Sequence, residues 1–229
     1  MRPLLVFTLT IAPLTVAPLL GATKEPARRL EESAAVFSEI MKTPDKGIPQ
    51  DLLEKAQCIV IVPGLKKGAF VVGGQYGKGF LSCRNSTNGA WSAPGAVRME
   101  GGSVGFQIGG SETDLIMLVM NRHGAEKLLG SDFTLGGEGE AAAGPVGRTA
   151  TAETDAVMRA EILSWSRSRG VFAGIALKGS TLRQDLDDNE ALYGKKLDNR
   201  EIVDSHIAPP PAATRLLTLL RRYSSHVTG

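Results

Sequence analysis

The sequence lacks the charge excess and the aromatic residues that nucleic-acid-binding proteins use. Across 229 residues, 26 Lys and Arg are almost balanced by 24 Asp and Glu, which leaves a formal net charge of +2. Aromatic residues make up only 5% of the chain. Because nucleic-acid backbones are bound by a strong basic excess and single strands by stacked aromatic rings, this composition excludes a general nucleic-acid-binding protein.

Histidine is also scarce, and its positions do not form a metal site. His123, His206 and His226 are scattered, and none has a cysteine or carboxylate partner at metal-ligand spacing. In the acidic segment DLDDNE at 185–190, Glu190 occupies the position at which a calcium-binding loop needs glycine. We therefore predict no bound metal, and interpret the acidic segment as the solvated start of a helix.

The glycine-rich segments do not match nucleotide-binding loops. In FVVGGQYGKGF at 70–80, only three residues separate Gly73 from Gly77, and Lys78 is followed by a glycine and a predicted strand. A P-loop needs four intervening residues, Ser or Thr after the lysine, and a helix. The segment GEGEAA at 137–142 lacks a preceding strand and carries acids where a pyrophosphate would bind. We therefore predict no cofactor.

One short motif is typical of serine hydrolases. GGSVG at 101–105 fits the nucleophile elbow around Ser103, which needs a strand before the serine and a helix after it. The residues after Ser103 instead have a strand pattern, and the best candidate histidine, His206, stands near a proline-rich tail. Because so short a motif arises by chance in a glycine-rich chain, we predict a protein that is not an enzyme and has no catalytic residues.

Residues 1–22 have the composition of a secretory signal peptide. A single arginine, Arg2, precedes an uncharged apolar stretch from Leu4 to Leu20, and cleavage is expected after Ala22. An uncleaved membrane anchor is the alternative, although Pro13 and Pro18 would interrupt its helix. The sequence therefore predicts a periplasmic or secreted protein.

Export would place the two cysteines in an oxidising compartment. In an oxidising compartment an even number of cysteines favours a disulfide, here between Cys58 and Cys83. If their strands were two apart in a simple meander, the separation of roughly 10 Å would exceed disulfide reach. The predicted bridge therefore requires the two strands to be neighbours or to fold over one another.

The hydrophobic pattern changes from helix to strand and back to helix. Leu30, Ala34, Phe37 and Met41 follow a helical spacing, and a second short helix is expected near Leu52. Of the 27 glycines, 20 lie between Gly64 and Gly147, among short runs rich in β-branched residues. The last part has helical patterns in DNEALYG and TRLLTLLRRYSS. We predict a single α+β domain with a mostly antiparallel, barrel-like sheet flanked by N- and C-terminal helices.

Several turns are assigned from local residues. CIVIV is a buried strand that Pro63-Gly64 is expected to end, and Tyr76-Gly77 is expected to form a tight hairpin. A further hairpin is expected to turn near Arg169-Gly170. These turns would leave basic residues at strand edges and tips, where glycines allow a ligand to approach closely.

A set of basic residues is the best candidate site. We predict that they converge on an anionic lipid headgroup or a membrane surface, although basic residues at turns are also commonly just solvated. The set comprises Lys66, Lys67, Lys78, Arg84, Arg148, Arg167, Arg169 and Lys178.

Long ordered motifs resemble the SYLF domain family. They are CIVIVPGLKKGAFVVGGQYGKGF, WSAPGAVRMEGGSVGFQIGGSETDLIMLVMN, AAAGPVGR, EILSWSRSRGVFAGIALKGSTL and NEALYG. The resemblance runs from about Leu30 to Asp204 and suggests residues 28–204 as the lipid-binding domain. Residues 205–229 would form a C-terminal linker and a basic amphipathic helix.

The resemblance implies a lipid-binding module that recognises phosphoinositides and related anionic lipids. Lys66, Lys67 and Lys78 stand in the matching motifs. Eukaryotic members of the family also bind actin, but the sequence is similar to the stand-alone, exported bacterial form, for which actin is not an expected partner. An envelope protein without specific lipid binding, whose partner is another protein, is the alternative.

Overall fold

The structure is a computed structural model that confirms the predicted α+β class. It describes residues 24–43, 47–69, 73–86, 88–103, 109–130, 132–137, 141–146, 160–168, 171–175, 177 and 179–224. The predicted signal peptide, residues 1–22, lies outside these ranges. Among the described helices, none is long and apolar enough to cross a membrane.

The helices lie at the two ends of the chain and between strands. They are α1 (Lys24–Lys42), α2 (Gln50–Lys55), α3 (Arg122–Leu128), α4 (Leu186–Tyr193), α5 (Asn199–Asp204) and α6 (Thr214–Tyr223), the last preceded by a 3₁₀ turn at Pro211–Ala213. α1 contains the predicted helical positions Leu30, Ala34, Phe37 and Met41, and helices are also present at DNEALYG (α4) and TRLLTLLRRYSS (α6) as predicted.

The described strands form one curled sheet. They are β1 (Cys58–Ala69), β2 (Gly73–Cys83), β3 (Gly95–Ser103), β4 (Gly109–Val119), β5 (Asp132–Thr134), β6 (Ala141–Ala143), β7 (Ile162–Ser168), β8 (Val171–Gly174) and β9 (Ser180–Gln184). Their order is β5-β9-β3-β2-β1-β4-β7-β6, and β8 pairs with β7. The pairings are antiparallel except for β6 with β7, as the predicted class requires.

Both faces of the central sheet are buried, which explains the unbroken apolar run at the start of β1. Ile59 and Ile61 pack against the helices. Cys58, Val60 and Val62 point to the other face, into a second apolar cluster. A strand covered on both faces needs apolar residues at successive positions, and not only at alternate ones.

Helix α1 is fixed between the sheet and the last helix. Its Leu30 and Phe37 are fully buried in the same cluster as Leu216 and Leu220 of α6. The rings of Phe37 and Tyr223 meet edge to face at 6.1 Å. The C-terminal helix therefore packs within the core of the domain, and the folded unit continues beyond Asp204.

The predicted turns at Pro63-Gly64 and Tyr76-Gly77 are wrong. Both dipeptides lie inside long strands, and β1 connects to β2 between Ala69 and Gly73. At Pro63-Gly64 the register with both neighbouring strands shifts, because β1 carries one extra residue there. Gly64 has a φ of 61°, which glycine adopts without strain. Pro-Gly here forms a β-bulge, a feature that uses the same residues as a turn.

The hairpin predicted near Arg169-Gly170 is confirmed by the pairing of Ser168 with Val171. The two turn residues themselves lie outside the described ranges.

The predicted disulfide is present. β1 and β2 are direct neighbours, and Cys58 lies opposite Cys83 in their register. The two cysteines are joined by an S–S bond. The two cysteines are not separated by an intervening strand, as they would be in a three-strand meander, because the strands that carry them form one hairpin.

The backbone next to the bulge explains why position 79 of β2 is occupied by glycine. A Cβ atom on Gly79 would overlap the carbonyl oxygen of Ile61, just before the bulge, whereas a Cβ on Gly74 of the same strand would meet nothing within 4 Å. We expect Gly79→Ala to lower the free energy of unfolding by about 3 kcal/mol or more, since backbone must move. Gly74→Ala should instead raise it by roughly 0.5–1 kcal/mol, because glycine within a strand is less stable than alanine and the added Cβ meets nothing. Urea denaturation of both variants tests this, and equal effects would contradict it.

Candidate functional site

A groove lies between the N-terminal half of α1 and the part of the sheet that follows the bulge. We call it the α1 groove, and its volume is about 690 Å³. Its charged lining residues are Glu25, Arg28, Arg29, Glu32, Lys66, Lys78, Glu112, Asp114 and Arg167. Five bases and four acids thus line a space within the size range of small-molecule sites.

The bulge places Lys66 in this groove. Before the bulge, Ile59 and Ile61 face the helices; the extra residue then inverts the alternation, so that Lys66 faces the same side. Lys66 lies opposite Tyr76 of β2 and Glu112 of β4. Because cross-strand partners share a face, these side chains form one row on the floor of the α1 groove.

Asp114 connects the bulge to the neighbouring elements. Its Oδ1 accepts a hydrogen bond from the Gly64 backbone N–H at 2.9 Å, and its Oδ2 accepts from the Arg167 guanidinium at 2.6 Å. Arg167 also pairs with Glu39 of α1. Burial raises the pKa of Asp114, as do nearby carboxylates, while the hydrogen bond from Gly64 opposes the rise. This carboxylate therefore joins β1, β4, β7 and, through Arg167, α1.

Lys78 lies at the inner end of the groove and is held by carboxylates. Its Nζ is 2.7 Å from Asp185 and 3.2 Å from Asp188, and Asp188 also accepts from Arg29 at 2.5 Å. Burial of the Lys78 ammonium disfavours its charge, but the two carboxylates outweigh burial, and the pKa of Lys78 is raised. The cluster connects α1, β2 and α4 and leaves Lys78 engaged inside the protein.

Two bases of the groove are accessible to a ligand. Lys66 is exposed and has no ion-pair partner among the described residues. Arg28 pairs with Glu25 and Glu32 on the surface of α1, where its side chain is 62% exposed. Such exposed pairs contribute little stability, so Arg28 can exchange them for an anionic ligand at small cost. Exposed Tyr76 adds a hydroxyl beside Lys66.

The structure brings together three of the predicted site residues. Lys66, Lys78 and Arg167 line the α1 groove, but they lie on strands and not at the turns predicted from the sequence. Lys67 follows Lys66 on the same strand and therefore points to the opposite face, where it pairs in register with Gln75.

The predicted site residues Arg148, Arg169 and Lys178 lie outside the described residues.

Arg84 is distant from the α1 groove and has a structural role. It lies at the opposite end of β2, where its guanidinium donates to the carbonyl oxygens of Ala56, Gly89, Leu53 and Ser224 at 2.9–3.3 Å. Its guanidinium also lies 4.5 Å from the centre of the Trp91 ring. Burial lowers the pKa of Arg84. Arg84 therefore connects segments of the chain and does not extend the basic site.

The structure separates the two candidate hydrolase residues. Ser103 lies at the end of β3 that pairs with Gly73, whereas the His206 ring contacts Asn85, which follows the other end of β2. The 11 residues of β2 span roughly 30 Å between these ends. Among the described residues, no group of three or more His, Cys, Asp and Glu is placed to hold a metal ion.

Sequence reasoning missed Arg28, Arg29, Glu112 and Asp114 as groove residues. The arginines were part of a charge-balanced helix surface, and nothing local indicates which strand they approach. Glu112 and Asp114 did carry a signal: they are two positions apart in a strand, which places both on one face.

The chain resembles known proteins over most of its length. Residues 100–223 match the Ysc84 family model, described as Las17-binding protein actin regulator. The chain is 35% identical over 181 residues to LAS seventeen-binding protein 3 of Saccharomyces cerevisiae, covering 77% of this chain and 39% of that protein. It is 32% identical over 189 residues to Protein YSC84 of the same yeast, covering 80% and 40%.

An animal relative matches more of the chain. The SH3 domain-containing YSC84-like protein 1 of Mus musculus is 30% identical over 210 residues, covering 90% of this chain and 61% of that protein. The chain thus spans about two fifths to three fifths of the length of these relatives. The family description names binding and actin regulation, and none of the three relatives' names contains a reaction.

The buried pairing of Lys78 leads to a pH-dependent prediction. We expect Lys78→Gln to lower the free energy of unfolding by about 2–3 kcal/mol at neutral pH, because it leaves buried Asp185 without a cation and leaves Asp188 with Arg29 alone. The raised pKa of Lys78 means that its stabilising contribution is present below its ordinary value of 10.5 and is lost as pH rises through the folded-state pKa. The difference between the variant and wild type should therefore shrink at high pH.

Lys66→Gln is the matched control for Lys78→Gln. It removes an exposed lysine from the same groove and should change stability by less than about 0.5 kcal/mol. Urea denaturation across the pH range measures both variants. If Lys78→Gln were as neutral as the control, Lys78 would not be held by the carboxylates in the folded protein.

Proposed function

Because the chain belongs to the Ysc84 family, also known as the SYLF domain family, we propose that it is a non-enzymatic module that binds anionic phospholipid headgroups, phosphoinositide-like in their charge. The proposed site is the α1 groove. The observation that carries the proposal is the exposed ammonium of Lys66, without an ion-pair partner among the described residues, on a groove floor that Arg28 also approaches.

The charges of the groove suit a phosphate better than a neutral ligand. Five bases and four acids line it, the two accessible bases are exposed, and the partly buried acid Asp114 is already paired with Arg167. A phosphate would replace surface pairs of Arg28 with charge-assisted hydrogen bonds, which are stronger. Lys78 and Arg167 would position the groove walls and would not contact the ligand.

We also propose that the protein acts outside the cytoplasm. The predicted signal peptide is the basis of this proposal, and the Cys58–Cys83 disulfide supports it, because such bonds persist mainly in oxidising compartments. In that setting the actin-related role that the family description names is not proposed for this chain.

A protein partner is the second candidate. The yeast relative is named LAS seventeen-binding protein 3, and the name belongs to a protein of which this chain matches 39%. A module of this kind would bind through a protein surface and be indifferent to lipid charge. An envelope protein of unspecified identity is the corresponding partner here.

Vesicle binding tests the lipid proposal. We expect wild type to sediment with vesicles that contain phosphatidic acid or phosphatidylinositol phosphate and not with phosphatidylcholine alone. Lys66→Gln and Arg28→Gln should each weaken binding about fivefold, and the double variant about 25-fold, since each base near an anionic surface contributes about 1 kcal/mol. Binding should also weaken as salt is raised.

Lys67→Gln is the matched control, because it removes the same charge from the opposite face of the same strand. It should bind vesicles nearly as well as wild type. If Lys67→Gln weakened binding as much as Lys66→Gln, binding would depend on total charge and not on the α1 groove. If wild type ignored lipid charge altogether, the protein-partner candidate would replace the lipid proposal.

A further inference from the structure

The α1 groove holds an exposed acid as well as exposed bases. Glu112 of β4 lines the groove, is exposed, and has no ion-pair or hydrogen-bond partner among the described residues. It lies directly opposite Lys66 in the register of β1 and β4. Cross-strand neighbours of opposite charge commonly attract one another, yet these two side chains do not form an ion pair. An unpaired base and an unpaired acid therefore stand side by side on the groove floor.

The bulge explains why the two charges stay apart. A Cβ atom built on Gly64 would lie 2.8 Å from Oε1 of Glu112. The Glu112 carboxylate therefore lies over the bulge glycine, in space that a side chain at position 64 would occupy. Its side chain extends from the level of Lys66 toward the bulge, which keeps the carboxylate away from the lysine ammonium.

The Glu112 carboxylate differs from its neighbour Asp114, whose charge is already compensated. Asp114 is paired with Arg167 and accepts a hydrogen bond from the Gly64 N–H at 2.9 Å. Burial raises the pKa of Asp114, and the negative charge of Glu112 raises it further, so the two carboxylates are close together. Glu112 therefore keeps a negative charge available to a cationic group of a ligand.

The accessible charges of the groove match a headgroup that carries both signs. Lys66 and Arg28 are the accessible bases, and Glu112 is the exposed acid beside Lys66. Directly opposite residues of neighbouring strands have Cα atoms about 5 Å apart, which suits ligand groups separated by only a few bonds. A headgroup with anionic groups alone would leave Glu112 facing a like charge, and such juxtaposition weakens binding.

We propose that the α1 groove selects anionic phospholipids whose headgroup also carries a primary ammonium, as in phosphatidylserine, and that Glu112 binds this ammonium. This inference rests on the proposed function and adds to it the chemical class of the headgroup. The phosphate and the carboxylate of the headgroup would contact Lys66 and Arg28. A choline headgroup has no N–H with which to donate hydrogen bonds to the Glu112 carboxylate.

Two lipids of equal net charge separate this recognition from general attraction to an anionic surface. Phosphatidylserine and phosphatidylglycerol carry the same net charge at neutral pH, but only phosphatidylserine has an ammonium. In sedimentation, we expect wild type to bind phosphatidylcholine vesicles with about 20% phosphatidylserine roughly fourfold more tightly than those with about 20% phosphatidylglycerol, because one accessible ion pair corresponds to this range.

Glu112→Gln is the decisive variant, because it should change the two affinities in opposite directions. It removes the partner of the ammonium, so binding to phosphatidylserine vesicles should weaken about twofold. It also removes a like charge from the groove, so binding to phosphatidylglycerol vesicles should strengthen about twofold, and the preference is lost. Since Glu112 is exposed, the fold should be retained, and urea denaturation checks this.

Glu126→Gln is the matched control. It removes the same charge from an exposed position on α3, which follows the end of β4 remote from Glu112. Any effect on general attraction to an anionic surface should be equal for the two lipids, so the preference for phosphatidylserine should stay as in wild type.

A soluble competitor distinguishes a lipid from a free metabolite of the same chemistry. O-phosphoserine carries the phosphate, the carboxylate and the ammonium without a membrane. It should displace wild type from phosphatidylserine vesicles at a lower concentration than glycerol 3-phosphate does. If O-phosphoserine binds wild type while neither kind of vesicle does, the ammonium contact stands and the lipid as its source is overturned.

The remaining outcomes separate this inference from the proposed function. If wild type binds both vesicles equally, or if Glu112→Gln strengthens both by the same factor, the ammonium contact is overturned while headgroup binding stands. If Lys66→Gln changes neither affinity but Glu112→Gln still removes the preference, the ammonium contact stands and the assignment of the phosphate to Lys66 fails. If wild type binds neither vesicles nor O-phosphoserine, both proposals are overturned.

Discussion

The bulge at Pro63-Gly64 and the carboxylate of Asp114 that holds it determine the character of the whole groove. One extra residue in β1 inverts the alternation of its side chains midway along the strand. Ile59 and Ile61 therefore pack under the helices, whereas Lys66 appears on the same face further along. Without the bulge, Leu65 would face the groove, and Lys66 would point to the side on which Leu65 is now fully buried in an apolar cluster.

The charges of the groove serve two different purposes. Arg167 with Asp114 and Glu39, and Lys78 with Asp185 and Asp188, hold α1 and α4 against the sheet. Partly buried pairs of this kind add little net stability, because desolvation offsets their attraction, but they allow few alternative arrangements. Lys66 and Arg28 are not constrained in this way and keep their charges available. Counting basic residues in the sequence cannot distinguish those that hold the helices, such as Lys78, from those that stay accessible to a ligand, such as Lys66.

The sequence predicted what depends on local pattern. The helical spacing from Leu30 to Met41, the buried strand after Cys58 and the hairpin after Ser168 all follow from short-range periodicity. The disulfide was predicted from cysteine number and compartment, and the structure supplies the neighbouring strands it requires. The error at Pro63-Gly64 has a physical origin, since a bulge and a turn select the same residues and differ only in whether strand pairing resumes.

The convergence of Lys66, Lys78 and Arg167 could be predicted only as a possibility, because it depends on pairing between strands far apart in sequence. The position of Lys67 could have been anticipated: once both lysines lie in one strand, they must point to opposite faces. The four carbonyl partners of Arg84 could not have been anticipated, because they lie up to 140 residues away from Arg84 in the sequence. Long-range contacts of this kind leave no local signal.

The described glycines of the strands that follow or face the bulge include two physical classes. Gly77 and Gly79 lie against the bulged backbone and its side chains, where a Cβ would collide. Gly68, Gly74 and Gly102 have open space above them, and each glycine within a strand costs roughly 0.5–1 kcal/mol relative to alanine. Three such positions together forgo roughly 1.5–3 kcal/mol, a sizeable part of the roughly 5–15 kcal/mol that is typical of a domain.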